Sequence, residues 1–233
     1  EHKKSEETIG RQVRYQWLTE IARSEGYDYI SVAHHKDDQA ESILAHIIRG
    51  SGLNGLTGMS VVQSEYAIPV VRPLLDVTKE NLLAYIGTKH ISYCVDSTNE
   101  DVRYQRNRIR HRIIPELEAV NPAVVDAIVR LGSSVNEDVM VISDLTARTF
   151  DKLVSIGKDE VSISRRALRQ EPLAIQRRLW QRLVSTIDPD LTLTSAHQEQ
   201  LLDIVNTGEK KTFTIKSIKV IAQCDTIKVY CKH

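Results

Sequence analysis

Apolar and polar positions in the first part of the chain predict helices and short strands in turn. Apolar residues recur every three or four positions between Ser5 and Glu25, which predicts an amphipathic helix. The apolar run at Asp28–Ala33 predicts a strand, and a second helix is predicted from about Asp38 to Arg49. The same alternation continues with a strand at Ala67–Val71, a helix at Val77–Ile86 and a strand at Ile91–Val95.

This order of elements predicts an α/β fold, because strands that alternate with helices favour a parallel sheet with crossover helices. We expect part of a doubly wound parallel sheet, then a long linker helix, a helical subdomain and a few short C-terminal strands. Asn121 and Pro122 have the residue types of a helix cap and first helical position, and an apolar stripe of about eight turns follows them. The predicted domains are 1–113, 114–156 (the linker helix) and 157–233.

The last part of the chain is predicted to be helical and then to form strands. Alternating apolar residues between Lys211 and Tyr230 predict the short strands. The predicted helices lie near Arg165–Gln170, Leu173–Ser185 and Ser195–Asn206.

Composition narrows the class of protein. The 233 residues are 41% hydrophobic, which is enough for a globular core. The sequence shows neither an apolar stretch long enough to cross a bilayer nor a secretory signal, so we expect no membrane partner and a cytoplasmic location. The formal net charge is zero, so nucleic-acid binding would have to depend on local basic clusters. Cys94, Cys224 and Cys231 are too scattered for a disulfide scaffold or a CxxC site, and we expect free, mostly buried thiols.

A polar turn between the strand at Asp28–Ala33 and the helix after it is the main candidate site. Ligands bind at the carboxyl ends of the strands in doubly wound sheets. Asp38 and Glu41 are three residues apart, so their carboxylates share one face of the first helical turn. This spacing is typical of a helix cap, and it also suits the binding of Mg²⁺ or a substrate ammonium group. Both roles are compatible, because a carboxylate has several acceptor positions.

Two histidines precede these carboxylates. His34 and His35 point to opposite sides if the strand continues through them, so at most one faces the crevice. A hydrogen bond to a nucleotide and a structural role remain equally open. A tandem pair on a strand does not suit a metal site.

Glycines and arginines mark two further segments. The run from Ser51 to Gly58 lacks the GxxxxGK[ST] pattern of a phosphate-binding loop and is predicted to be a hinge or close-contact turn.

The segment from Arg103 to Arg112 is rich in arginine and has few acids. Its arginines could bind the phosphates of a nucleic-acid backbone: Arg106, Arg108, Arg110 and Arg112. A second basic stripe, for which simple solvation is favoured, comprises Arg165, Arg166, Arg169, Arg177, Arg178 and Arg182.

Several motifs in order, between about Arg11 and Pro122, resemble those of the bacterial tRNA(Ile)-lysidine synthetases. The first is the turn from Ala33 to Glu41, and the second is the glycine run with Arg49 and Met59. The others are Arg72-Pro73-Leu74-Leu75, Asp96-Ser97-Thr98-Asn99 and Arg106-Asn107-x-Ile109-Arg110.

The resemblance implies an ATP-pyrophosphatase-type ligase that uses ATP and Mg²⁺. Such an enzyme adenylates the wobble cytidine of an isoleucine tRNA with a CAU anticodon, and free L-lysine then displaces AMP. In this chain, the resemblance assigns the lysine ammonium to Asp38 and Glu41. It places His34, His35 and Asp37 around the nucleotide and the cytidine. Phosphate contacts are assigned to the arginine run: Arg106, Arg108, Arg110 and Arg112.

One family motif is absent from the sequence. The Ser-Gly-Gly-x-Asp-Ser phosphate loop does not occur in these 233 residues, so we expect a chain truncated at its N-terminus, with the ATP-binding residues unknown and activity in doubt. A tRNA-binding remnant without catalysis and a related tRNA-thiolating enzyme are the alternatives, although no cysteine lies near the crevice motifs. Which residues bind metal and whether the protein forms a homodimer stay open.

Overall fold

The chain divides into two compact units, 1–137 and 138–233. A computed structural model describes residues 6–64, 67–94, 101–157, 160–189, 191–207 and 210–231. The domain boundaries predicted from the sequence stay predictions. None of the helices in the described part of the chain is both long and apolar enough to cross a membrane.

The first unit is built mainly of helices around a small sheet. Its helices are α1 (Glu6–Ser24), α2 (Lys36–Ile48), α3 (Leu53–Leu56), α4 (Lys79–Thr88), α5 (Gln105–Arg108) and α6 (Ile114–Val120), with a π-helical turn at Ile109–Ile113 between α5 and α6. Its strands are β1 (Ile30–Ser31), β2 (Val62–Gln63) and β3 (Val70–Val71). Thr78 has a residue type favoured at helix N-termini and caps α4, since its hydroxyl accepts a hydrogen bond from the Asn81 backbone N–H.

The small sheet confirms the parallel pairing expected from the sequence. β1 pairs in parallel with β3, with Ile30 opposite Val70, and the strand order is β1-β3-β2. β2, which the pattern did not predict, pairs with β3 in the antiparallel direction. Ile30 and Val70 pack with Tyr15 and Ala22 of α1, so the first helix covers this sheet.

The strand predicted at Ile91–Val95 is wrong over residues 91–94, which form no strand. Ile91 and Tyr93 are more than half exposed, so the segment has no buried apolar face that would favour a strand. Val95 and the motif Asp96–Asn99 lie outside the described residues.

The predicted linker helix is confirmed as α7 (Val124–Leu153), which is 30 residues long. Asn121 lies before it, where its Oδ1 accepts a hydrogen bond from the Ala123 backbone N–H. The second unit continues with strands β4 (Val154–Ile156) and β5 (Glu160–Ser164), helices α8 (Arg165–Gln170), α9 (Leu173–Ile187) and α10 (Ser195–Asn206), and strands β6 (Lys211–Ile215), β7 (Ile218–Gln223) and β8 (Thr226–Cys231).

The second unit is an antiparallel sheet packed against helices. Its five strands have the order β4-β5-β8-β7-β6. The three C-terminal strands and the three helices were predicted, whereas β4 and β5 were not. The core between the helices and the sheet is fully apolar at its centre, with Leu179, Trp180, Leu183, Val220 and Val229 completely buried.

Two predictions about this unit were wrong. Cys224 and Cys231 are free but exposed, and so is Cys94 in the first unit. Arg165 does not belong to a solvated basic stripe, because it is only 4% exposed. Its guanidinium donates to the carbonyl oxygens of Ile204, Val205 and Cys224. The side chain therefore satisfies carbonyls at the C-terminus of α10, where the helix dipole favours a positive charge.

We predict that Arg165→Ala destabilises the second unit by about 2–3 kcal/mol, because two buried carbonyl oxygens and one partly buried carbonyl oxygen lose a charged donor. Urea unfolding followed by circular dichroism measures the change. Arg166→Ala is the matched control, because its side chain is exposed and its loss should change the free energy of unfolding by less than about 0.5 kcal/mol. Equal stability of the two variants would contradict a structural role for Arg165.

Candidate active site

The turn between β1 and α2 has the strand, turn and helix order expected from the sequence. β1 ends at Ser31 and α2 begins at Lys36. Asp38 caps the helix, since its Oδ2 accepts a hydrogen bond of 3.0 Å from the His35 backbone N–H. Asp38 and Glu41 are both buried, with exposed fractions of 7% and 1%. Two ionised carboxylates are rarely buried without compensating charges.

Two arginines supply that compensation. Arg106 donates from Nη2 to Asp38 Oδ1 at 2.7 Å and from Nε to Glu41 Oε2 at 2.8 Å. Arg110 donates from Nη2 to Asp38 Oδ1 at 3.0 Å, and from Nε and Nη2 to the two Glu41 oxygens at 2.5 and 3.0 Å. We call Asp38, Glu41, Arg106 and Arg110 the ion-pair cluster. Its formal charges sum to zero.

The geometry of the helical segment explains why these two arginines reach the carboxylates. Arg106 lies in α5 and Arg110 in the π-helical turn, four residues later, so both project from one face. Ile109 between them is buried, which fixes the orientation of this face. A π-helical turn is uncommon and is often found at functional sites.

The arginine run is therefore divided between two faces. Arg108 and Arg112 are exposed, and neither forms an ion pair with any residue that the structure describes. Arg106 and Arg110 are only partly exposed and are occupied by carboxylates. The structure brings Asp38 and Glu41 together with Arg106 and Arg110, and it leaves Arg108 and Arg112 available to an external partner.

His35 and Asp37 link α2 to neighbouring elements. His35 Nδ1 lies 3.3 Å from Asp37 Oδ2, and the same oxygen accepts a hydrogen bond of 2.8 Å from the Lys79 backbone N–H at the start of α4. The close approach of the His35 ring, together with the hydrogen bond from Lys79 and against the opposing effect of burial, lowers the pKa of Asp37 from 3.8 to about 2. Asp37 is thus ionised at neutral pH and connects two helix N-termini, while His34 is half-buried nearby in the sequence.

A cavity of about 380 Å³ lies beside the ion-pair cluster. Its lining includes Glu41, Arg106, Arg49, Arg72 and His46. Sequence reasoning did not assign a site to Arg49, Arg72 or His46, although the first two occur in motifs that resemble the family.

Gly58, the last residue of the glycine run, lines this cavity, and its surroundings confirm the predicted close-contact turn. Gly58 has a φ of +72°, and a Cβ atom there would lie 2.7 Å from the Gln39 side chain. The buried Gln39 amide donates to the Met59 carbonyl oxygen at 3.0 Å and accepts from the Met59 N–H at 2.7 Å. This two-point contact holds the turn against α2, and it is a role for Gln39 that the sequence did not reveal.

The ion-pair cluster does not fit a divalent metal in this arrangement. Three of the four carboxylate oxygens of Asp38 and Glu41 accept hydrogen bonds from guanidinium groups, and the fourth accepts from a backbone N–H. A metal ion would have to replace those donors. Within the described ranges, no group of three or more His, Cys, Asp or Glu side chains is placed to hold a metal ion.

Comparison with known proteins identifies the family of the chain. A family model described as the PP-loop domain matches residues 1–117. The chain is 34% identical over 166 residues to the tRNA(Ile)-lysidine synthase of Porphyromonas gingivalis, a match that covers 71% of this chain and 35% of the relative. It is 30% identical over 228 residues to the enzyme of that name from Caldanaerobacter subterraneus subsp. tengcongensis, covering 97% of this chain and 47% of the relative.

A third relative, the tRNA(Ile)-lysidine synthase of a Thermotoga species, is 42% identical over 130 residues, or 56% of this chain and 30% of the relative. The chain thus spans less than half of the length of each of these three curated relatives. The resemblance seen in the motifs is confirmed by these matches, and the chain belongs to the PP-loop family, with the tRNA(Ile)-lysidine synthases among its relatives.

Proposed function

We propose that the protein uses ATP to ligate lysine to the wobble cytidine of an isoleucine tRNA with a CAU anticodon, forming lysidine. The ion-pair cluster at the carboxyl end of β1 is the observation that carries the proposal. In this cluster the carboxylates that the resemblance assigns to lysine binding contact the arginines that it assigns to phosphate binding. The shared name of the relatives supports the same reaction.

The proposed chemistry has two steps. The cytidine ring carbonyl oxygen attacks the α-phosphorus of ATP, so that a C–O–P bond forms and pyrophosphate leaves. The ε-amine of lysine then attacks the activated ring carbon, the C–O bond breaks, and AMP leaves with the former carbonyl oxygen. Activation is needed because the ring oxygen is a poor leaving group until it carries the adenylate. Mg²⁺ would neutralise the phosphates of ATP and is part of this proposal.

The lysine site requires an exchange of ion pairs. In the structure, Asp38 and Glu41 are neutralised by Arg106 and Arg110, so the pair offers no net negative charge to an ammonium group. A phosphate near Arg106 would compete with the carboxylates for its guanidinium, since both are bidentate acceptors. We propose that phosphate contacts draw an arginine from the cluster and release the carboxylates for the lysine ammonium. Lysine would then bind well only after the nucleotide or the tRNA.

The tRNA backbone is proposed to contact the exposed half of the arginine run. Arg108 and Arg112 are four residues apart on one helical face and have no acidic partner among the described residues. Exposed guanidinium groups of this kind bind phosphates without reading base sequence. The neutral net charge of the chain means that this local cluster, not the whole surface, would provide the attraction.

The nucleotide and the cytidine are proposed to lie next to His34, His35 and Asp37. We also propose that the protein is cytoplasmic, and we leave open whether it is a monomer or a homodimer.

The charge balance of the ion-pair cluster specifically favours one alternative function. In this alternative the protein binds tRNA without catalysis, and Asp38 and Glu41 only hold the arginines in place. The two proposals differ in whether the Asp38 charge is needed for lysine transfer.

We expect Asp38→Asn to reduce the incorporation of radiolabelled lysine into the isoleucine tRNA by at least about tenfold, because it removes a buried charge from the lysine site. The assay uses the complete natural protein with ATP and Mg²⁺. Glu80→Gln, an exposed acid in the first turn of α4, is the control and should leave incorporation unchanged. Unchanged incorporation with a folded Asp38→Asn protein would end the lysine assignment, and no incorporation by the unaltered protein would favour the non-catalytic alternative.

We expect Arg108→Gln and Arg112→Gln to weaken tRNA binding and to lower the slope of log affinity against log salt by about 1 each, as for the loss of one phosphate contact. Titrations at several salt concentrations give the slope. Arg23→Gln, an exposed arginine on α1, should leave the slope unchanged. Slopes equal to that of the unaltered protein would show that the tRNA does not contact this face.

A further inference from the structure

Arg72 is a buried cation that no acid of the described chain neutralises. Its side chain is only 2% exposed. Nη1 donates to the Ser60 carbonyl oxygen at 2.8 Å and Nη2 to Gln63 Oε1 at 2.7 Å, and both acceptors are neutral. Nε has no hydrogen-bond partner among the residues that the structure describes. Two of the five guanidinium N–H groups are thus in use, although buried charges in proteins are normally paired.

The position of Arg72 suggests why the fold tolerates the free-energy cost of burying its charge. Arg72 lines the cavity of about 380 Å³ beside the ion-pair cluster, and so does Arg49, whose side chain forms no ion pair with a described residue. Glu41, the acid in that wall, is already neutralised by Arg106 and Arg110. The described lining of the cavity therefore has an excess of two positive charges, from Arg49 and Arg72.

A neighbouring histidine is consistent with this excess. His46 also lines the cavity, where burial and then the charge of Arg49 lower its pKa, which disfavours a further positive charge there. Its Nδ1 lies 3.1 Å from the Ser51 hydroxyl oxygen. Among the described residues of the cavity wall, the positive charges without an acidic partner are therefore those of Arg49 and Arg72.

We propose that Arg72 and Arg49 form a binding site for the oxyanion group of a small-molecule substrate. Guanidinium groups bind carboxylates and phosphates through paired N–H donors. The cavity volume lies at the low end of the range for small-ligand pockets, so it suits a free molecule and not a nucleic-acid strand. For the identity of the ligand the inference depends on the proposed function, which offers two sources, the α-carboxylate of lysine and a phosphate group of the nucleotide.

Binding titrations with this chain distinguish the two sources. The probes are inorganic pyrophosphate, L-lysine and 1,5-diaminopentane, which keeps both amine ends of lysine but lacks the carboxylate. The two amines are titrated in the presence of the isoleucine tRNA, because lysine is proposed to bind well only after the nucleotide or the tRNA. A carboxylate site predicts that Arg49→Gln and Arg72→Gln weaken L-lysine binding by about tenfold and leave 1,5-diaminopentane binding unchanged. A phosphate site predicts the same loss for pyrophosphate alone.

Two further comparisons control for unspecific effects of the substitutions and for misfolding. Arg14→Gln, an exposed arginine on α1, should change none of these affinities. Should Arg72→Gln fail to fold, as circular dichroism would show, Arg49→Gln decides the outcome, because Arg49 is exposed and its loss leaves the core intact. If the affinities for L-lysine and pyrophosphate are the same in Arg49→Gln and the unaltered chain, or if neither probe binds the unaltered chain, the proposed site is wrong.

The test of the oxyanion site can fail or succeed independently of the test of the proposed function. Lysine incorporation into tRNA by the complete natural protein tests the reaction, whereas the titrations test the cavity. Arginine-dependent oxyanion binding in a protein that transfers no lysine would support the site and reject the function. If Arg49→Gln changes neither lysine transfer nor the affinities for L-lysine and pyrophosphate, the proposed function is supported and the proposed site is rejected.

Discussion

The neutralisation of two buried carboxylates by two arginines is the interaction on which the candidate site depends. Asp38 and Glu41 lie on α2, and Arg106 and Arg110 follow 65 to 72 residues later. Neither pair could be buried alone without a large desolvation cost. The contacts thus join α2 to the helical segment around the π-turn, and they orient the remaining arginines of the run toward solvent.

A charge-balanced cluster can be structural or it can be a site in its resting arrangement. Its bonds are short, and a buried pair of this kind loses stability when one partner is removed. The arginine side chains are nevertheless 35% and 23% exposed, so they can be reached from solvent, whereas Glu41 is not. The accessible partners are therefore the ones that a phosphate could displace first, which gives the proposed exchange a direction.

The sequence predicted the elements that have local signals and missed those that depend on distant partners. The bounds of α8 and α10 follow from the caps Ser164 and Thr194, whose hydroxyls accept backbone N–H bonds. β2 and β4 have two and three residues, too few for an alternation to be visible. The order Asp38, Glu41 and the arginine run was recognisable in the sequence, but no spacing rule could show which arginines turn inward and which outward.

Arg72 and Arg165, the two arginines buried in the described part of the chain, show what distinguishes a structural cation from a candidate binding group. Arg165 and Arg72 are 4% and 2% exposed, so burial does not separate them. Arg165 donates to three carbonyl oxygens, two of them at the negative end of α10, where the helix dipole compensates its charge. Arg72 donates to one carbonyl oxygen in a loop and to one side-chain amide oxygen in β2. Within the described part of the chain its Nε has no acceptor, and neither of these two hydrogen bonds reaches a helix end that would provide a compensating dipole. The charge of Arg165 is thus compensated within the fold, while that of Arg72 has no counterpart among the described residues, which is why we propose a ligand for it.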